Sequence, residues 1–106
     1  MVSRPKRGEV WWGEIPETGR RPFLVMTRDA AIPVLNTVVA APVTRTVRGI
    51  PTELPLGPDD GMPIECAATF DNLRVVPKGH LVERVCSLGP VRMAEACHAL
   101  RASVDC

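Results

Sequence analysis

Residues 37 to 44 read TVVAAPVT, an apolar run closed at each end by a threonine and carrying no charge. A continuous apolar run of this length is the mark of a strand covered on both faces. A second, PFLVMT at 22–27, comes shortly before it. Together they predict the two central strands of a sheet, around which the rest of the chain must be arranged.

Working outward, EVWWGEI at 9–15 is rich in aromatic and branched residues and stops at Pro16, where PETG reads as a turn. IPTELPL at 50–56 alternates instead, with Ile50, Thr52, Leu54 and Leu56 on one face. Pro51 and Pro55 both delete backbone donors from one side of that segment, so it is expected at a sheet edge. GPDDG at 57–61 is a turn and makes 50–70 a hairpin. LVERVCSL at 81–88 predicts a further strand. Gly89 and Pro90 then announce a helix, with Pro90 suited to its first turn. Within 90–104, Met93, Cys97, Leu100 and Val104 form one apolar stripe, and Arg92 and Glu95 lie off it. The expected fold is mainly β with a C-terminal helix (α+β): a strongly bent small sheet or partly open barrel crossed by one helix, forming a single domain over 1–106.

Composition is that of an ordinary folded chain: 106 residues, 45% hydrophobic and 24% charged. No stretch approaches a membrane span and no apolar core follows the basic start, so a cytoplasmic location without membrane attachment is expected. Cys66, Cys86, Cys97 and Cys106 match neither a CxxC pair nor a zinc-finger spacing. They read as reduced and partly buried, with Cys106 exposed. The net charge of +1 conceals an imbalance: residues 1–50 sum to +4 and residues 51–106 to −3. A basic first half can meet phosphates, although solvated faces of opposite sign account for the numbers equally well. His80 and His98 read as structural or exposed. Of Trp11 and Trp12, on alternate faces of one strand, one belongs to the core and at most one is available for stacking.

The stretches RGEVWW (7–12), RRPFLVM (20–26) and VVAAPVTRT (38–46), in this order and spacing, resemble the MazF/PemK/Kid family of toxin endoribonucleases. The segment FDNLRVVPKGHL followed by a terminal helix fits as well. The resemblance runs from about Arg7 to Ala102 and implies an SH3-like barrel of the CcdB/Kid/MazF type that forms a homodimer. It implies RNA cleavage without metal or cofactor, the ribose 2′-hydroxyl attacking the adjacent phosphate to leave a cyclic phosphate and a free 5′-hydroxyl. Such a site needs a cation for the phosphorane charge and groups that fix the phosphate. By resemblance Arg21, mounted beside Pro22, is the catalytic arginine, Thr44 the catalytic threonine, and Asp71 an acid of the same site. Glu9, Arg20, Arg28, Arg45, Thr46, Arg48 and Thr69 are the candidate RNA contacts. Thr69 stands where the Kid-type site has an arginine, and the short PETGR loop lacks that site's histidine.

The implied partners are single-stranded RNA, as mRNA or a tRNA loop, and a cognate acidic MazE-like antitoxin. Two readings from other classes compete. A gyrase-binding toxin of the CcdB type relies on a C-terminal tryptophan, whereas this chain ends RASVDC. An SH3-like peptide-binding module relies on tyrosines and tryptophans, and this chain has no tyrosine.

Overall fold

The computed structural model describes residues 4–105, so residues 1–3 and Cys106 of the expected 1–106 domain lie outside the described residues. Strands β1 (Glu9–Ile15) and β2 (Gly19–Val25) form an antiparallel hairpin, and β3 (Thr37–Thr44) returns beside β2. A second hairpin follows from β4 (Glu53–Leu56) and β5 (Cys66–Thr69), then β6 (Arg74–Pro77), β7 (Leu81–Ser87) and helix α1 (Pro90–Val104). The sheet order is β4-β5-β3-β2-β1-β7, with β6 also on β3.

Strand β3 is the hub. One edge pairs with β2, while the other pairs with β6 along Thr37–Ala40 and with β5 at Val43 and Thr44. Its continuous apolar run follows from this position, because successive side chains point to opposite faces and, from Ala40 to Val43, both faces are filled. Ala41 and Val43 join Leu24, Leu54, Leu56 and Phe70 in a core under α1. Val38 and Ala40 join Phe23, Val25, Val76 and Leu81 in a second core on the other face, where Trp11 also packs. Two register shifts between β1 and β7, at Val10/Trp11 and Trp12/Gly13, add local twist and curl the sheet into a half-barrel. The curl also needs Gly13, since a Cβ there would sit 2.8 Å from the Phe23 ring.

β1, β3 and α1 keep the bounds expected of them, and β4 is the edge strand foreseen, with Pro55 exposed. β4 is shorter than expected because residues 51–52 are spent in a turn, the Glu53 N–H donating to the Ile50 carbonyl. β2 begins three residues earlier than expected: the hairpin zips down to Ile15↔Gly19, drawing both arginines into the paired strand. β6 was not foreseen; of its four residues only Val76 is buried, and only β3 makes it a strand. On α1 the most deeply buried residues are Ala96 and Ala99, with Met93, Cys97 and Leu100 packed around them, while Val104 is 55% exposed. Small side chains let the helix approach closely, a signal that a stripe of large residues misses. Arg92, off the stripe, donates to Asp60 at 2.9 Å and to the Pro55 carbonyl, pinning the start of α1 to the 57–61 turn.

Candidate active site

The register between β2 and β3 explains the site. Pairing ends at Phe23↔Pro42, and the next residue of β2 is Pro22. Neither proline has an N–H to extend the ladder, so the strands part there. Continuing the register two residues beyond sets Arg21 opposite Thr44 across the gap. The gap is a cleft of about 530 Å³ lined by Arg20, Arg21 and Pro22 on one side and Val43, Thr44 and Arg45 on the other. Trp12 and the Met62–Ile64 segment close it, with Cys66 at the back.

The charges in this cleft are unequal in freedom. Arg20 is committed: it pairs with Glu14 at 3.0 Å and Glu83 at 3.1 Å and lies over the Trp12 ring, 5.0 Å from its centroid. Arg21 and Arg45 are exposed and, among the described residues, have no ion-pair partner. Between them the Thr44 hydroxyl oxygen accepts from the Thr46 N–H at 3.2 Å, which leaves its own proton to donate. Two free guanidiniums beside a hydroxyl donor suit a phosphate oxygen. The cysteine at the back is no nucleophile. Burial, with Glu65 and Asp60, raises the Cys66 thiol, and burial, with Asp60 and Cys66, pushes Cys86 up to about 11. Both are neutral thiols at physiological pH. Among the described residues no group of three or more His, Cys, Asp or Glu could hold a metal ion.

Arg20, Arg21, Thr44 and Arg45 are thus brought together; other expected site residues are not. Asp71 follows the far end of β5 and is not among the residues lining the cleft; its carboxylate accepts from the Thr52 hydroxyl at 2.6 Å. Thr69 is 7% exposed, held between strands opposite Glu53. Glu9 is 6% exposed, its carboxylate accepting from the Lys6 N–H at 2.7 Å, Trp11 at 3.0 Å and Arg84 at 3.1 Å. That residue anchors the start of β1. Arg28 lies beyond the opposite end of β2, about 20 Å of extended chain from Arg21. Thr46 and Arg48 are exposed on the 45–52 connection leaving the cleft. His98 is exposed, and His80 is half-buried with its Nδ1 unpartnered. Missing from the sequence reading was the wall Met62, Pro63 and Ile64; Ile64, 45% exposed in a turn-rich segment, was the available signal.

Residues 6–104 match the family described as PemK-like, MazF-like toxin of type II toxin-antitoxin system. The chain is 45% identical over 107 residues to "Probable endoribonuclease MazF5" of Mycobacterium tuberculosis, covering 100% of this chain and 98% of that one. It is 40% identical over 102 residues to "Probable endoribonuclease MazF2" of the same species, covering 95% and 99%. Among solved structures, a mycobacterial endoribonuclease in complex with its cognate antitoxin superposes with a TM-score of 0.86 at 28% identity, covering 96% of each chain. Toxin MazF-mt6 of M. tuberculosis superposes with a TM-score of 0.84 at 27% identity, covering 92% of this chain and 96% of that one.

Proposed function

This chain belongs to the PemK-like, MazF-like toxin family, and from that premise we propose that it is the endoribonuclease toxin of a type II toxin–antitoxin pair, cutting single-stranded RNA in the cleft between β2 and β3. The observation that carries the reading is the pair of uncommitted guanidiniums, Arg21 and Arg45, flanking the Thr44 hydroxyl. In the proposed reaction the ribose 2′-oxygen attacks phosphorus and the bond to the 5′-oxygen breaks, giving a 2′,3′-cyclic phosphate and a 5′-hydroxyl. Negative charge grows on the non-bridging oxygens. Arg21, rigidly mounted before Pro22, stabilises that charge with its guanidinium, and Thr44 donates to the same oxygens. Arg45 holds the flanking strand by charge. Asp71, tied to Thr52, has no part in this scheme.

Cytoplasmic RNA, as mRNA or a tRNA loop, is the substrate that fits this reading, with an acidic antitoxin competing for the same cations and a homodimer as the working form. The endoribonuclease names of the relatives favour this over gyrase binding. The test is incubation of wild-type and Arg21→Ala proteins, with EDTA, on pooled mRNA and tRNA, followed by mapping of new 5′ ends. The wild type is expected to give discrete cuts with 5′-hydroxyl ends, reduced about 10² to 10³-fold in the folded variant. Cuts that persist unchanged in Arg21→Ala, or a folded wild type that cuts nothing, would refute the assignment.

A further inference from the structure

Arg45, Thr46 and Arg48 leave the cleft on a segment with no regular structure, every residue from 45 to 50 exposed. A segment of that kind is ordinarily mobile, and ordering it on binding costs conformational entropy. Here it is tied. The carboxylate of Glu53, at the first position of β4 and only 6% exposed, receives two successive backbone groups with one oxygen: Oε1 accepts from the Arg48 N–H at 2.9 Å and from the Gly49 N–H at 3.2 Å. Gly49, at φ 67, takes the left-handed conformation that turns consecutive N–H groups toward one anion. The other oxygen, Oε2, is buried and has no partner.

A half-satisfied buried carboxylate is a poor stabilising device, because the desolvation of Oε2 is not offset. Its yield is geometric instead: it fixes the backbone on which two arginines and a threonine are displayed. We propose that Glu53 is a positioning residue of the nuclease, holding the 45–50 segment preordered so that Arg45 and Arg48 meet the RNA without an ordering cost. This rests on the nuclease reading above. Glu53 touches no substrate and acts through the loop. Its contribution belongs to RNA binding and therefore to KM rather than to kcat. The group required is an acceptor for two N–H donors, which glutamine also supplies.

The experiment compares wild type, Glu53→Ala, Glu53→Gln and Gly49→Ala on a short RNA carrying the cut site mapped with the wild-type protein, together with amide hydrogen exchange of the free proteins. Glu53→Ala is expected to raise KM about tenfold with kcat within about twofold, and to speed exchange at Arg48 and Gly49 while β3 remains protected. Glu53→Gln is expected to restore both. Gly49→Ala leaves the core untouched, since nothing lies within 4 Å of its Cβ position, and tests the loop even where Glu53→Ala folds poorly. Its strained backbone is expected to raise KM about fivefold. An unchanged KM in both Glu53→Ala and Gly49→Ala, or a Glu53→Gln protein as impaired as Glu53→Ala, overturns the proposal alone. A wild-type protein that cuts no RNA overturns the nuclease reading and this proposal with it.

Discussion

Cys86 illustrates how much one side chain depends on its neighbours. Its sulfur lies 3.5 Å from the Met62 sulfur, and a Cβ at Gly61 would come within 2.8 Å of its own Cβ, so the 61–62 turn is packed directly onto it. With the folded thiol at about 11 against about 9 in an unfolded chain, the folded state holds this proton more tightly. The associated stability is complete below pH about 9 and is lost as pH rises toward 11. The chain has no tyrosine to titrate in the same window. Denaturant midpoints measured from pH 8 to 11 should fall more steeply for wild type than for Cys86→Ala, and parallel curves would contradict this account. Glu9 makes the opposite point about legibility. From the sequence it is an acid in an opening strand; only the fold reveals Lys6, Trp11 and Arg84 converging on it, residues up to 75 positions apart.

Among the elements, the strands with two buried faces were legible because burial on both sides leaves an uninterrupted apolar signature, as in TVVAAPVT. β6 was not, because RVVP acquires its structure from pairing with β3 across some forty residues of sequence. The candidate cleft was half legible for the same reason. Arg21 and Thr44 belong to recognisable strands, whereas the Met62–Ile64 wall is brought to them by the β4–β5 hairpin. Helix α1 depends on a similar tie: Arg92, 29% exposed, reaches Asp60, 14% exposed, as well as a carbonyl of β4. The helix N-cap, Gly89, offers no side-chain hydrogen bond, so this contact is the anchor of the first turn. Arg92→Ala is expected to destabilise the protein by about 1–2 kcal/mol, lowering the melting temperature by about 5–10 °C in calorimetry. Arg101→Ala, changing an exposed residue of the last turn, should leave it within about 2 °C.

Across the whole molecule, the cations of the first half are divided between the two ends of β2 and β3. Arg21 and Arg45 flank the cleft, and Arg28 lies at the other end. The sequence puts Arg28 and Arg45 alike among the candidate RNA contacts, and only the antiparallel register separates them. The logarithm of the affinity for a single-stranded oligonucleotide should fall linearly with the logarithm of salt concentration. Arg45→Ala is expected to flatten that slope by about 0.7, and Arg28→Ala to leave it unchanged. Equal slopes for both variants would mean that the strand crosses the whole face rather than the cleft.

The order in which the strands join has a consequence for the life of the chain on the ribosome. β1 leaves first, yet its outer edge is covered only by β7, the last strand synthesised. At about 5–20 residues per second, the nascent chain carries an open strand edge for about 4 to 15 seconds before its partner emerges. Until then the curled sheet that sets Trp12 and Arg20 beside the cleft cannot close. The half-barrel is therefore completed only once β7 has been made and has paired with β1.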